Sequence, residues 1–531
     1  MNNRKRNFWG WGYADYELDA ASVTKFKSLL QMALGIEEFS DLKVPVLEEL
    51  NLRAPRIPLP EAYMQFCTAE DFDRASHSYG KSYRDVWRGL QGIYDNPPDY
   101  VAYPSTEEQI LSLMEFAAEH NVSLIPFGGG SSVVGGVEPT TDERYSAAIS
   151  VDMKHFNKIL EVNVESRSAR IQAGIFGPAL DRGLKEYGLT MRHFPQSFEF
   201  STLGGWIATR SGGHYATLFT HIDEFVQSIR MVTPQGIMQS RRLPGSGAGP
   251  SEERLMTGSE GIFGIITEAW VRLQHIPTYK MAQTISFNEW SNAVKACRSL
   301  AQSGLNPTNA RLIDRVEALS NGLGDGQHDV IILGFESHNH EVQPLMQEGL
   351  DICTRHGGKY VLKENTGKRD QAADRWKKSF LQAPYLRDEF VRLGCIMETF
   401  ETAVTWDQFE SFHSGIITAA NEAIQRICGG GMITCRFTHL YPDGPAPYYT
   451  IMAKGQTGRE NEQWNEIKQI VSDKIIELGG TITHHHAVGK DHQPYYKKQR
   501  SDVFAAALSA VKDRLDPAWI MNPDVLLTNR S

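Results

Sequence analysis

Cysteine is scarce in this chain of 531 residues, which contains six cysteines and no Cys-x-x-Cys pair. Scattered thiols are typical of a reducing compartment, so we expect neither a disulfide framework nor a structural zinc site. No apolar run approaches the ~18 residues of a membrane span. The start is basic but lacks the apolar segment of a secretory signal, and the last residues are not a peroxisomal tripeptide. These absences predict a soluble cytoplasmic protein.

Positive charge is in deficit, because 54 Lys and Arg face 64 Asp and Glu and the net charge is −10. A protein that binds nucleic acid without sequence preference needs a positive field, so we expect no nucleic-acid partner. Hydrophobic residues make up 41% and charged residues 22%, as in ordinary globular proteins. The length indicates two or three domains of about 150 residues each, which is typical of a large enzyme.

The chain has 46 glycines, and they are concentrated between about residues 128 and 264. They form three loops, at 126–132, 195–205 and 258–266, each beside a predicted strand. None matches the GxxxxGK[ST] phosphate loop or the GxGxxG dinucleotide fingerprint. Successive exposed N–H groups in such loops can hold a diphosphate, although a single glycine loop is more often only a tight turn. Three loops together favour a diphosphate cofactor outside a Rossmann domain.

Hydrophobic periodicity predicts an α+β chain. A capping box at Ser105 and Glu108 begins a helix that leads into a strand at 122–125 and then into the first glycine loop. Segments 159–164 and 169–173 are predicted to form a strand pair. After Pro277 strands alternate with long helices, such as 342–357 and 406–427, and a last helix covers 502–515.

Three stretches carry a family resemblance: PFGGGSSV from Pro126, PQSFEFSTLGGWIATRSGG from Pro195 and GSEGIFGIITEA from Gly258. They resemble the PCMH-type FAD-binding domain of vanillyl-alcohol-oxidase flavoproteins, in which two α+β subdomains hold FAD between them. Many relatives attach the flavin covalently through a histidine in or near the first loop, which here has only Gly, Ser and Val. The resemblance therefore implies non-covalent FAD. It implies FAD contacts at Pro126, Phe127, Gly128, Gly129, Gly130, Ser131, Ser132, Pro195, Gln196, Ser197, Phe198, Glu199, Phe200, Ser201, Ala208, Thr209, Arg210, Ser211, Glu260, Gly261, Ile262, Phe263, Gly264, Ile265 and Ile266.

A second set of stretches is spread along the chain: Gly10-Trp11-Gly12-Tyr13, Arg311-Leu312-Ile313-Asp314, Phe400-Glu401-Thr402 with Trp406-Asp407, Thr434-Cys435-Arg436 and His484-His485-His486-Ala487-Val488-Gly489-Lys490. With these stretches the chain resembles the alkyl-dihydroxyacetonephosphate synthase family, and the resemblance covers almost the whole chain. It implies a two-subdomain PCMH-type FAD-binding domain plus an α+β substrate (cap) domain with an antiparallel sheet. The implied division is an N-terminal arm or helical subdomain at 1–95, the FAD domain at 96–278, the substrate domain at 279–500 and a C-terminal helical segment at 501–531 that packs back on the FAD domain.

The resemblance implies a transferase that exchanges the acyl group of acyl-dihydroxyacetone phosphate for a fatty alcohol without net oxidation. By position, Tyr448 matches the catalytic tyrosine, twelve residues after Arg436. Arg387 matches the arginine that binds the substrate phosphate, and Arg311 a second arginine important for activity. The alternatives are a helix-surface ion pair for Arg387 and a strand-end cation for Arg311. Tyr441 and Tyr449 are interpreted as packing residues.

The three consecutive histidines, His484, His485 and His486, are predicted to exchange protons near neutral pH. A metal site and a structural role are the alternatives. Adjacent residues of a strand point to opposite faces, so one ion cannot easily bind all three, and we predict no metal. Pro445 and Pro447 remove backbone donors beside Tyr448, which predicts an edge or bent strand.

Two other classes of function stay open. One is a true redox flavoenzyme, an oxidase or dehydrogenase of a 2-hydroxy acid or alcohol. The other is a flavin-binding or lipid-carrier protein without catalysis. Substrates with long alkyl chains imply peripheral membrane contact, for which residues 4–6 with Trp9 and Trp11 are a candidate anchor; packing of these aromatics on the FAD domain is the alternative. The family also implies a homodimer.

Overall fold

The computed structural model describes residues 4–361 and 371–528. The first three and last three residues of the predicted arm and C-terminal segment lie outside the described part. Sheets of four, five and six strands organise the described part of the chain together with its helices, so the α+β prediction is confirmed. Among the described residues, no helix is both long and apolar enough to cross a membrane.

The first sheet is small and mostly parallel, with strand order β1-β2-β4-β3. Its strand β1 lies within the predicted arm of residues 1–95, pairs antiparallel with β2 and completes the sheet edge. The elements are helix α1 (Ala20–Leu34), strand β1 (Cys67–Thr68), helices α2 (Asp71–Ser76) and α3 (Tyr83–Leu90), strand β2 (Tyr100–Ala102), helix α4 (Glu107–His120), and strands β3 (Val122–Phe127) and β4 (Ala147–Asp152).

Helix α4 shows how local sequence shapes this sheet. Its N-cap is Thr106, whose side chain accepts the N–H of Gln109, so the predicted cap at Ser105 is one residue early. Ser105 and Thr106 are both suitable N-cap residues, and Thr106 has the extended backbone that an N-cap adopts. The face with Ile110, Leu113 and Ala117 packs on the sheet core.

The second sheet is antiparallel, in the order β5-β6-β10-β8-β9. The predicted strand pair is confirmed, because β5 and β6 are hydrogen-bonded neighbours. The elements are strands β5 (Ile159–Asn163) and β6 (Ser168–Gln172), helix α5 (Gly177–Lys185), strand β7 (Leu189–Thr190), helix α6 (Leu203–Thr209), strands β8 (Val226–Thr233) and β9 (Gly236–Gln239), helix α7 (Glu252–Met256), and strands β10 (Ile265–Arg272) and β11 (Gln274–His275).

The third sheet is a six-stranded antiparallel layer in the order β12-β14-β13-β16-β17-β15. The elements are strand β12 (Tyr279–Phe287), helix α8 (Trp290–Gln302), strand β13 (Asn309–Ile313), helix α9 (Arg315–Ser320), strand β14 (Asp329–Ser337), helices α10 (Gln343–Arg355) and α11 (Gln371–Arg392), strand β15 (Cys395–Glu401), helix α12 (Trp406–Cys428), strands β16 (Gly431–Leu440) and β17 (Pro445–Lys454), and helices α13 (Glu460–Glu477), α14 (Gln493–Gln499) and α15 (Asp502–Leu515).

Strand β17, which carries Tyr448, lies between β16 and β15 and is not an edge strand. The two prolines stand at its beginning, where the register with β16 shifts between Phe437 and His439. The bent alternative therefore describes the strand, because the irregular register accommodates residues that cannot donate to the ladder.

Both ends of the chain return to the FAD-side sheets. Ile520 and Met521 enter the core of the first sheet, and Leu508 packs against that of the second. Trp11 is 6% exposed and its ring packs edge-on against Phe200. The structure therefore favours packing over a membrane anchor for this aromatic residue.

Candidate active site

A cavity of about 280 Å³ lies where the glycine loops meet the third sheet. All three loops and several charged side chains of the third sheet reach its wall. The structure thus brings most predicted site residues to one place. Those at the wall are Pro126, Phe127, Gly128, Gly129, Gly130, Ser131, Ser132, Pro195, Gln196, Ser197, Ser201, Ala208, Thr209, Ser211, Glu260, Gly261, Gly264, Ile265, Ile266, Arg311, Arg387, Tyr448, His485 and His486.

Seven predicted residues do not reach the wall and lie behind or beside it: Phe198, Glu199, Phe200, Arg210, Ile262, Phe263 and His484. Ile262 and Phe263 are in the hydrophobic core because they pack beneath the second sheet. Arg210 turns outward and pairs with Asp223 at 2.7 Å. Glu199 is exposed and accepts a hydrogen bond from the Tyr385 hydroxyl.

The first glycine loop has the chemistry of an anion site. Among the described residues, the backbone N–H groups from Gly128 to Ser131 have no hydrogen-bond acceptor. A Cβ at Gly129 would stand 1.9 Å from the Phe200 carbonyl oxygen, so only glycine permits this approach of two loops. Successive free amides beside Arg6, whose Nη2 donates to the Gly129 carbonyl at 2.8 Å, fit the diphosphate of FAD.

Glu260 joins the third glycine loop to the segment that follows the histidines. Its two carboxylate oxygens accept the N–H groups of Val488 and Gly489, each at 2.8 Å. Burial raises the pKa of this carboxyl to about 7, even though both hydrogen bonds act in the opposite direction. One buried side chain therefore couples the FAD side of the cavity to the substrate side.

Residues 484–486, here called the histidine segment, are irregular and not a strand, so the predicted alternation of faces is wrong. The cause is Glu401, at the end of β15, which is 2% exposed. Its carboxylate accepts the N–H groups of His484 at 2.7 Å, His485 at 3.1 Å and His486 at 3.0 Å. Three successive N–H groups aimed at one side chain are incompatible with an alternating strand.

Two of these histidines meet a third from β16. Ring nitrogens of His439, His484 and His485 lie within 4.8 Å of one another. The nitrogens are engaged with protein groups: His439 Nε2 lies 3.0 Å from the Gly213 carbonyl oxygen, and His484 Nδ1 lies 3.0 Å from His485 Nδ1. Burial lowers the pKa of His439 and His484 well below the usual value, which keeps both imidazoles neutral.

Tyr448 faces this cluster from β17 and is 4% exposed. The Arg436 guanidinium lies 3.9 Å from its ring centroid, and the ring of His485 stacks at 6.1 Å. Burial raises the pKa of the Tyr448 hydroxyl, although the charge of Arg436 opposes the shift. The phenol therefore stays protonated and can donate. Tyr449 points away into the core and stacks on Phe400, as its packing interpretation requires.

Three arginines at the cavity wall bring positive charge to a chain whose net charge is negative: Arg311, Arg387 and Arg436. Arg311, on β13, is 1% exposed and donates to the His214 carbonyl at 3.2 Å. Burial, followed by the charge of Arg436, lowers its pKa to about 9. Arg387, on α11, pairs with Asp388 at 2.8 Å but also lines the cavity, so it is more than a surface ion pair. Together Arg311 and Arg387 can bind a phosphate.

Sequence reasoning did not assign a role to Glu401, Arg436 or His439. The first two lie inside stretches that carry the family resemblance, Phe400-Glu401-Thr402 and Thr434-Cys435-Arg436, so a signal was present. His439 has no local signal, because only the pairing of β16 with β17 brings it to the histidine segment.

Comparisons with known proteins agree with this architecture. A model of the FAD binding domain matches residues 98–240, and one of the C-terminal domain of FAD linked oxidases matches residues 276–526. The alkyldihydroxyacetonephosphate synthase of Dictyostelium discoideum is 30% identical over 86% of this chain and 77% of its own. That of Trypanosoma brucei brucei is 28% identical over the same shares. A solved structure of an alkyldihydroxyacetonephosphate synthase is 25% identical, with a TM-score of 0.80 over 97% of this chain and 98% of its own.

Proposed function

The chain belongs to the alkyldihydroxyacetonephosphate synthase family, and on this premise we propose that it exchanges the acyl group of acyl-dihydroxyacetone phosphate for a fatty alcohol. It is an FAD-dependent enzyme, a flavoprotein transferase of ether-lipid synthesis. One observation carries the proposal. Arg311, Arg387, Tyr448 and His485 line the same cavity as the glycine loops, so phosphate-binding and proton-transferring groups surround the place where FAD fits.

The free amides of the first glycine loop would hold the FAD diphosphate. The residues of loops 195–201 and 260–266 that line the cavity would enclose the rest of the cofactor. When bound, FAD supplies the electron-accepting ring that makes the exchange at carbon feasible, while the protein positions and polarises the substrates. We propose that FAD is held non-covalently, since the first loop offers only Gly, Ser and Val side chains.

In the proposed reaction the substrate phosphate binds the guanidinium groups of Arg387 and Arg311. His485 lines the cavity, and Glu401 orients its ring by facing Nδ1 at 3.3 Å. His485 is the base that takes the proton from the carbon bearing the ester, and that carbon regains a proton after the alcohol has added, so the net gain of the base is the hydroxyl proton of the alcohol. Tyr448 keeps its proton and donates a hydrogen bond to the departing carboxylate. His486 supports the segment from the other side of Tyr448, with ring centroids 5.5 Å apart.

Assembly and location follow as further proposals. We propose that the protein is a cytoplasmic homodimer, as the family resemblance implies. We also propose that it touches membranes peripherally, because both substrates carry long alkyl chains. Light scattering measures the dimer, and cosedimentation with phosphatidylcholine vesicles measures the contact. A monomer, or protein that stays in the supernatant, contradicts the corresponding proposal.

The decisive experiment incubates the FAD-loaded enzyme with acyl-dihydroxyacetone phosphate and labelled fatty alcohol. We expect labelled ether product and one free fatty acid per ether, with the flavin oxidised at the end. Tyr448→Phe should lower the rate, whereas Tyr449→Phe, its neighbour in the core, should not. Anaerobic bleaching of the flavin by 2-hydroxy acids or alcohols, with no ether formed, would instead favour the redox alternative.

A further inference from the structure

The proposed exchange produces a proton that must leave the site. An ester and an alcohol become an ether, a carboxylate and one H⁺: the carbon–oxygen bond to the acyloxy group breaks, one to the alkoxy group forms, and the hydroxyl proton of the alcohol is released. Behind the cavity wall the His484 side chain is 5% exposed, so the proton needs a path through buried groups to reach solvent. Its route, which rests on the proposed function, follows from the hydrogen bonds around this histidine.

A line of hydrogen bonds begins at the cavity wall. His485 Nδ1 and His484 Nδ1 are 3.0 Å apart, and His484 Nε2 is 2.7 Å from the Tyr441 hydroxyl. The two ring nitrogens of His484 therefore face opposite partners, one toward the cavity and one away from it. This is the arrangement in which an imidazole accepts a proton at one nitrogen and gives another from the second.

The line continues from Tyr441 to the protein surface. The Tyr441 hydroxyl is 3.2 Å from Thr220 Oγ1, and that hydroxyl is 3.4 Å from a carboxylate oxygen of Glu224. Thr220 is 3% exposed whereas Glu224 is exposed, so the line crosses from the interior to solvent at this pair. Backbone bonds fix the outer end, because Glu224 also accepts the N–H groups of Thr220 and His221.

We propose that Tyr441, Thr220 and Glu224 form a proton relay that carries the released proton from the histidine segment to solvent. His484 receives the proton from His485 and gives its Nε2 proton to the Tyr441 oxygen. Tyr441 gives its own proton to Thr220, and Thr220 gives its own to the Glu224 carboxylate, which exchanges with water. Burial raises the pKa of Tyr441, so its hydroxyl gains one proton as it loses another and no free tyrosinate forms.

The relay has one branch. His221 Nδ1 lies 3.3 Å from the Tyr441 hydroxyl, and its Nε2 lies 2.9 Å from the His484 carbonyl oxygen. Since Nε2 donates to that carbonyl, Nδ1 is an acceptor that competes with Thr220 for the Tyr441 proton. Replacing Thr220 therefore removes the route to Glu224 and leaves the route to His221.

The test follows proton release during a single turnover of the FAD-loaded enzyme with a pH-indicator dye, with ether product measured in parallel. Tyr441→Phe and Thr220→Val should each slow proton release by about tenfold or more. Thr220→Ser, which restores the hydroxyl, should stay near the wild-type rate, as should the off-path control Tyr449→Phe. The relay would be overturned if Tyr441→Phe released the proton at the wild-type rate. It would also be overturned if Tyr441→Phe slowed proton release and Thr220→Val did not.

A second readout needs no turnover. In protein labelled with ¹⁵N-histidine, the exchange of the His484 Nε2 proton with solvent should slow in Thr220→Val and not in Thr220→Ser. Unchanged exchange overturns the relay. Absence of ether product from the wild-type enzyme overturns the proposed function instead, and the exchange measurement still tests the relay.

Discussion

The carboxylate of Glu401 lies 3.3 Å from the Nδ1 atom of His485 while it holds the backbone of the whole histidine segment. Burial alone would raise the pKa of Glu401, but the facing imidazoles, His485 foremost, hold it well below the usual range. An ionised, buried carboxylate in this position orients the ring of His485. Glu401 is thus a positioning residue for the proposed base.

Glu401→Gln tests this role. The amide keeps the shape but directs its NH₂ group toward backbone donors, and a buried group left unpaired costs about 1–3 kcal/mol. We expect kcat to fall by about tenfold or more, with FAD content unchanged and the acid limb of the pH–rate profile moved. The matched control is Glu398→Gln on the same strand, where Glu398 pairs with Lys468 and not with a histidine. An equal loss of kcat in the control would contradict the specific role of Glu401.

Local sequence predicts the helices and glycine loops well because each depends on neighbouring residues. Predicted helix 502–515 matches α15, and 406–427 ends one residue before α12 does. Apolar periodicity places these helices, and a left-handed Gly429 ends α12. The glycine loops were found because they concentrate glycine next to strands.

The histidine segment was placed in the wrong conformation because its shape is set from a distance in the chain. Glu401 is more than eighty residues before His485, and no local pattern reveals that one carboxylate takes three successive N–H groups. His439 reaches the site only through strand pairing. Sequence therefore predicts which residue types are present, while sheet order decides which of them meet.

Arg387→Ala should weaken binding of the phosphorylated substrate without loss of flavin. Arg387 lines the cavity, and a phosphate that loses a charge-assisted bidentate partner binds less tightly by about 1.5–3 kcal/mol, or about tenfold to a hundredfold in KM. Steady-state kinetics and the flavin absorbance measure the two effects. Arg392→Ala is the matched control, because Arg392 lies on the same helix and pairs with Glu389 away from the cavity. Unchanged KM in Arg387→Ala would remove Arg387 from the site.

Gly129→Ala should abolish FAD binding. The new methyl group would stand 1.9 Å from the Phe200 carbonyl oxygen and 2.7 Å from its carbon, and backbone atoms cannot turn aside as a side chain can. The two loops must separate, so we expect colourless protein with a lower melting temperature. Gly245→Ala provides the control, since a Cβ there meets no atom within 4 Å. Full flavin content in Gly129→Ala would show that the loop tolerates separation.

Glu260→Gln should change how stability depends on pH. The folded pKa of Glu260 is about 7, above its ordinary 4.5, so the unfolded chain ionises first as pH rises. Stability is full below pH 4.5 and declines until pH 7, by about 3 kcal/mol in total for this group. The glutamine variant lacks this decline, although its altered hydrogen bonds add a constant offset. Calorimetry between pH 5 and 8 compares the stability of the two proteins, and the contributions of all other titrating groups cancel in the difference. Stability curves that run parallel would contradict the raised pKa assigned to Glu260.

FAD should leave the protein intact when it is denatured. Covalent flavin needs a nucleophilic side chain beside the ring, and the first glycine loop has Gly128, Gly129, Gly130 and two serines. Acid precipitation of the yellow enzyme should therefore give a colourless pellet and one equivalent of unmodified FAD in the supernatant by mass spectrometry. The experiment can give either result, because two histidines outside the first loop, His485 and His486, also reach the cavity wall. A yellow pellet would mean that one of these imidazoles is bonded to the flavin. Such a bond would also remove that imidazole from proton transfer, so the same result would contradict its assigned part in the exchange.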